Sequence, residues 1–254
     1  SPAELADRME RRELGRTGLR VSVLGFGGSE IGFERAEPSR VRRLLQEALD
    51  AGLNVVDTAE CYGESETLVG QAIADRRQDY YLFTKCGHFE GTGRDDWSAA
   101  SLEKSITRSL ARLRTDHVDL LQLHTCTEDD LRRGDVIEVV ERARQRGQTR
   151  FIGYSGDGPA ARYAVECGRF DTLQTSINVA DQEAMHLTLP PAQAHGVGVI
   201  AKRPIANAAW KAPEHQPGPY KDYASAYTER LKKMDITPAD VGFQGNGASG
   251  DPDQ

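Results

Sequence analysis

The chain has 254 residues, a formal net charge of −7 and a hydrophobic fraction of 38%. That length suits one α/β barrel or two small domains, with enough apolar residues for a packed core. No basic block stands out, which argues against a nucleic-acid partner, and no run approaches the ~18 apolar residues of a membrane span.

The opening residues, Ser1 to Arg12, are polar and charged and read as lacking the apolar core of a signal peptide. Cys61, Cys86, Cys126 and Cys167 form no C-x-x-C pair. A reduced, cytoplasmic setting is the simplest reading of such cysteines. The arginines between Arg142 and Arg150 alternate with acids or apolar residues and read as a solvated helix face.

Two short runs, Arg12–Gly15 and Leu19–Ser22, flank Arg16-Thr17-Gly18 and predict a β-hairpin. Strand one is then read as Val23–Gly27. A helix starts at Ser39, just after Pro38, with Val41, Leu44, Leu45, Ala48 and Leu49 on one face and Gly52 at its end. Strand two is Asn54–Asp57, followed by a helix with the stripe Leu68, Val69, Ala72 and Ile73. Tyr80–Lys85 is strand three. Ser98 can cap the next helix, whose face is Leu102, Ile106, Leu110 and Leu113. Val118–His124 is strand four, with a helix from Asp135 to Arg146 behind it. Phe151–Ser155 is strand five. Its helix has Pro159 in the first turn and Gly168 past the end. Strand six is Thr172–Asn178, strand seven is Val197–Ala201, and a helix lies near Asp222 to Met234.

Short Val, Ile and Leu runs alternating with helical segments predict parallel strands with crossover helices. Seven strands are read in this way. The stretch Gly242–Gln254 is rich in Gly, Asn, Asp and Pro and carries no strand pattern. The expectation is one domain over residues 1–254, with residues 1–11 and 242–254 flexible, that stops short of an eighth strand.

In barrels of this kind the active site lies at the C-terminal ends of the strands. Strand two ends in Asp57, followed by Tyr62 on the loop; strand three ends in Lys85 and strand four in His124. A lysine cation beside a tyrosine favours the tyrosinate and lowers its pKa, and Asp57 would hold Lys85 charged. His124 could hydrogen-bond a carbonyl oxygen. Such a set donates a proton to an oxygen on which charge is building. It holds no nucleophile–base pair and no evident metal set, so the hard chemistry falls to a cofactor. Singly, each residue has a plain structural reading: a buried ion pair, a satisfied strand-end histidine, a packed loop tyrosine. A metal site from Cys61, Cys86, Cys126 and His124 fits no ligand spacing.

Asn54-Val55-Val56-Asp57-Thr58-Ala59-Glu60-Cys61-Tyr62-Gly63, continued by Glu64-Ser65-Glu66 and Val69-Gly70, resembles the aldo-keto reductase signature. Phe83-Thr84-Lys85 is similar to that family's lysine strand, and Asp119–His124 to its histidine strand. Leu14–Ser22 resembles the hairpin that closes its barrel floor. The resemblance covers roughly residues 12 to 210. It implies a (β/α)8 TIM barrel with an N-terminal β-hairpin, here apparently lacking the eighth strand and final helix. It implies a catalytic tetrad of Asp57, Tyr62, Lys85 and His124, with Tyr62 as the proton donor and a reduced nicotinamide as the hydride source. NADPH is the family's commoner cofactor, with NAD also open; the substrate is a small carbonyl or alcohol.

Gly28, Asp57, Ser155, Gln174, Lys202 and Arg203 form the candidate cofactor set. Ser155 matches the first member of the family's carboxamide-binding Ser-Asn pair, whose second position is Gly156 here. Gln174 matches the family's carboxamide-binding glutamine, and Asn178 an asparagine a few residues on, preceded by Ile177 rather than an aromatic residue. On strand seven, Lys202 stands where the family often has an aromatic residue, and Lys202 and Arg203 read either as pyrophosphate ligands or as rim charges. Phe89, Trp97 and Trp210, on the loops His88–Trp97 and Asn207–Tyr223, are candidates for the apolar lining of a substrate pocket. Two rival readings are a catalytically weak, cofactor-sensing regulatory protein and a barrel lyase or isomerase using Lys85 as a Schiff-base amine.

Overall fold

The computed structural model describes residues 9–88, 96–211, 216 and 224–235. The chain divides into two compact units. One comprises Ser1–Thr175 with Met185–Ile200; the other comprises Ser176–Ala184 with Ala201–Gln254.

The hairpin forms from β1 (Arg11–Glu13) and β2 (Arg20–Ser22), antiparallel, with Arg12 opposite Val21 and a 3-10 turn at Gly15–Thr17. Its own residues are mostly exposed; Ser22 is buried, and so are the apolar residues Leu14 and Leu19. The two leucines are buried with Val55, Phe83 and Leu120, which come from three different strands. The hairpin is thus pinned by an apolar plug. Asn54 adds to this, accepting from Ser22 N at 2.7 Å and donating to Arg20 O at 2.9 Å.

Among the described residues, seven strands follow in one sheet: β3 (Phe26–Gly27), β4 (Val55–Asp57), β5 (Tyr81–Cys86), β6 (Val118–His124), β7 (Thr149–Ser155), β8 (Thr172–Ser176) and β9 (Gly198–Lys202). Their spatial order is their chain order, and every pair from β3/β4 to β7/β8 is parallel. In β6 every residue is buried except His124, which is half-buried at the end. The strand is covered on both faces, with the polar Asp119 and Gln122 buried among its apolar residues. No described residue forms an eighth strand. The stretch 242–254 lies outside the described residues.

The helices are α1 (Ser29–Phe33), α2 (Pro38–Asp50), α3 (Ser65–Ile73), α4 (Ala99–Leu113), α5 (Glu128–Arg133), α6 (Asp135–Gln145), α7 (Gly158–Glu166), α8 (Ala184–Leu187), α9 (Leu189–His195) and α10 (Ser225–Met234). Ser98 caps α4 as anticipated, its hydroxyl accepting from Ser101 N. In α2 the cap is Glu37, whose carboxylate accepts from Arg40 N, and Pro38 rather than Ser39 opens the helix.

Other differences have local causes. The sequence pattern predicts strand one over Val23–Gly27, but β3 begins only at Phe26. Val23 N donates to Glu10 O and so prolongs the hairpin, leaving Val23 and Leu24 exposed. Four helices, α1, α5, α8 and α9, were not anticipated. The helix α5 rests on a capping box between Thr127 and Asp130, and Gly134, at φ 87°, separates it from α6. In the second unit, Tyr227 and Leu231 of α10 are buried with Ala180, Ala206 and Ala209, and the Tyr227 hydroxyl donates to Asp181 at 3.1 Å.

Candidate active site

The ends of β4, β5 and β6 bring Asp57, Lys85 and His124 to one place, and the loop after β4 carries Tyr62 to it. The Lys85 side chain is fully buried. Its Nζ donates to Asp57 Oδ2 at 2.6 Å and to the Thr58 carbonyl at 2.9 Å. Gln122 Nε2 donates to the other carboxylate oxygen of Asp57 at 3.0 Å. A buried ion is tolerated when paired and hydrogen-bonded in this way. The ammonium lies 4.9 Å from the centre of the Tyr62 ring. The His124 ring meets Tyr62 edge to face at 5.9 Å, and Phe33 packs on Tyr62 at 5.7 Å. All four residues singled out from the sequence are therefore in one cluster.

The electrostatics differ from the sequence expectation in one respect. Lys85 does pull the Tyr62 pKa down, but burial outweighs it and Asp57 opposes it, so the hydroxyl stands above its ordinary 10.0. Tyr62 thus holds its proton firmly at neutral pH. Burial works against the Lys85 charge, and Asp57 and Tyr62 more than offset it, so Lys85 stays cationic.

The loop between Asp57 and α3 is tied down by buried polar groups. Glu60 accepts from Ser105 and from Arg108, both on α4. Thr84 donates to Glu66 Oε1 at 2.6 Å, and burial raises the Glu66 pKa. On the other side, a Cβ placed on Gly32 would stand 1.7 Å from the Tyr62 carbonyl oxygen. Only glycine lets α1 approach the Tyr62 backbone so closely. An open hollow of about 470 Å³ lies beside Tyr62, lined by Gly32, Phe33, Arg35, Gly63 and Glu64. A hollow of about 520 Å³ between α4 and α6 is far from this chemistry and lined by helix-surface residues such as Glu103 and Arg146.

Several neighbours escaped the sequence reading. Gln122 was legible in principle: it lies two residues before His124 on a strand, hence on the same face. His88 meets the His124 ring at 4.8 Å and Trp97 at 6.0 Å, and it bonds Thr125. Trp97 thus lies beside the site; Phe89 lies outside the described residues, and Trp210, in the second unit, is 41% exposed. Cys61 Sγ is 3.5 Å from His124 Nδ1.

On the cofactor side, Ser155 and Gln174 are register partners on β7 and β8, both buried, with Ser155 Oγ 3.1 Å from Gln174 Oε1. Together they offer a hydroxyl and a primary amide, the complement of a carboxamide. Gly28 N donates to the Asp57 carbonyl at 2.8 Å, so its amide serves the fold. Lys202 and Arg203 belong to the second unit. There Arg203 donates to Ser176 Oγ at 3.1 Å, and its carbonyl accepts from Asn178. Among the described residues no cluster of His, Cys, Asp and Glu could hold a metal ion, and no helix is long and apolar enough to cross a membrane.

The Aldo/keto reductase family model matches residues 23–241, most of the chain. The chain belongs to the aldo/keto reductase family. It is 33% identical to the oxidoreductase YqkF of Bacillus subtilis over 78% of this chain and 65% of that protein. It is 35% identical to the L-galactose dehydrogenase of Arabidopsis thaliana, over 78% of this chain and 66% of that one. The chain thus spans about two thirds of the length of these relatives. Among solved structures, the holo form of the aldo-keto reductase AKR11C1 from Bacillus halodurans superposes with a TM-score of 0.72 at 34% identity, covering 83% of this chain and 70% of that one. The fold is the family's (β/α)8 type, preceded by the hairpin, with seven barrel strands among the described residues.

Proposed function

We propose that this aldo/keto reductase uses NADPH to reduce an aldehyde or ketone to an alcohol, with Asp57, Tyr62, Lys85 and His124 as its catalytic residues. The observation that carries the reading is the fully buried Lys85 ammonium, bonded to Asp57 at 2.6 Å and lying 4.9 Å from the Tyr62 ring. The nicotinamide, when bound, supplies the hydride. Ser155 and Gln174 fit its carboxamide, and Gly28 lies beside Asp57 at the end of β4.

Tyr62 transfers its proton to the carbonyl oxygen as negative charge gathers there. Lys85, held charged by Asp57, stabilises the tyrosinate left behind. Gln122 keeps Asp57 from turning away. His124 donates a hydrogen bond to the same oxygen and sets its direction. Four free cysteines accord with a reducing, cytoplasmic setting.

A second reading, cofactor sensing without useful turnover, draws on Gly156. A Cβ there would stand 2.6 Å from the Tyr154 ring, so an asparagine cannot occupy that place without repacking. Tyr62→Phe separates the two readings. In the enzyme it lowers carbonyl-dependent NADPH oxidation by about 10²–10⁴-fold and leaves NADPH quenching of tryptophan fluorescence intact. Equal rates in wild type and variant would remove Tyr62 from the mechanism.

A further inference from the structure

His124 has two ring nitrogens, and a neutral imidazole carries a proton on only one of them. Which one is decided by the partner of the other. Cys61 Sγ lies 3.5 Å from Nδ1, within hydrogen-bonding reach for sulfur. A thiol donates its proton to such a nitrogen; a thiolate would require the nitrogen to donate instead. Cys61 lies on the turn just before Tyr62 and is only partly exposed. Burial pushes its pKa up to about 11 against the pull of Lys85, and the Glu60 and Glu66 carboxylates act in the same direction as burial. Cys61 is therefore a thiol, and Nδ1 is its acceptor.

We propose that Cys61 is a positioning residue that fixes His124 as the tautomer protonated on Nε2, so that the ring faces a carbonyl oxygen as a neutral donor. The packing supports a single ring orientation: Tyr62 meets the ring at 83° and His88 meets it at 75°. The other tautomer would aim the Nδ1 N–H at sulfur, a weak acceptor, and turning the ring over would aim a C–H there. The consequence for a substrate rests on the reduction reading; the tautomer does not.

The test is long-range ¹H–¹⁵N correlation of the ¹⁵N-labelled full chain at pH 7.5, with the His124 signals assigned by their loss in His124→Gln. The expected result is a protonated Nε2 and an unprotonated Nδ1. Cys61→Val keeps side-chain bulk and removes the donor, and it moves the signals toward the other tautomer or an average of both. Wild-type protein protonated on Nδ1, or on both nitrogens, would overturn the proposal, as would an unchanged tautomer in Cys61→Val. In turnover, the same variant loses roughly three- to tenfold in kcat, the size of one hydrogen bond, with the cofactor KM unmoved. A wild type without turnover would defeat the reduction reading and leave the tautomer result standing.

Discussion

At the scale of single residues, the site depends on an ion pair removed from water. Lys85→Met keeps most of the side-chain bulk and leaves the Asp57 carboxylate with Gln122 but without its cation. Breaking a buried pair from one side costs about 3–5 kcal/mol, so urea unfolding should show a loss of that order, together with the loss of turnover. Gly32→Ala tests position rather than charge. Its new Cβ meets the Tyr62 carbonyl, so the backbone must shift, and we expect kcat to fall while stability drops by about 1–3 kcal/mol. Asp57, Lys85 and His124 were legible in the sequence because each ends an apolar run, and Tyr62 because it lies five residues beyond Asp57. Cys61 and Glu60, one and two residues before Tyr62, were read without their partners. What they touch, His124 and α4, is set by tertiary packing that no spacing encodes.

At the scale of elements, the strands were legible because β4 to β8 are short, β-branched or leucine-rich runs between charged helices. The helix α5 was missed because six residues carry little periodicity. Its evidence was the Thr127-x-x-Asp130 box, an acidic variant of the usual capping pattern. Thr127→Ala should therefore lower stability by about 1 kcal/mol, read as a shift in urea midpoint without a change in m-value. Pro190 and Pro191 fall in the first turn of α9, where a missing N–H costs nothing. The late start of β3 was hidden for a different reason. Val23 and Leu24 look like core residues, and only the Val23 bond to Glu10 shows that they leave with the hairpin.

At the scale of the whole molecule, burial of neutral thiols and phenols sets the alkaline limit. Cys61 is raised from 9.0 to about 11, Cys126 from 9.0 to about 12 and Tyr80 from 10.0 to about 12. Each group stays protonated in the folded chain while the unfolded chain has already lost the proton. Its contribution to stability is complete below pH 9 and is lost as pH rises toward 12. Urea midpoints should fall steadily over that window. On the acid side, Asp130 and Glu141 are held below their ordinary values, Asp130 by Thr127 and Arg133 against its burial, Glu141 by Arg169, and stability is lost as pH falls through those lowered values. The central claim is that the tetrad delivers a proton while a nicotinamide delivers hydride. Its most direct test is a single turnover with NADPH deuterated at the transferring position and a simple aldehyde, read by mass spectrometry of the alcohol. The account predicts one deuterium on the carbinol carbon with wild-type protein and unreacted aldehyde with Tyr62→Phe. Saturable NADPH binding by wild-type protein with no labelled alcohol from any aldehyde or ketone tried would contradict it.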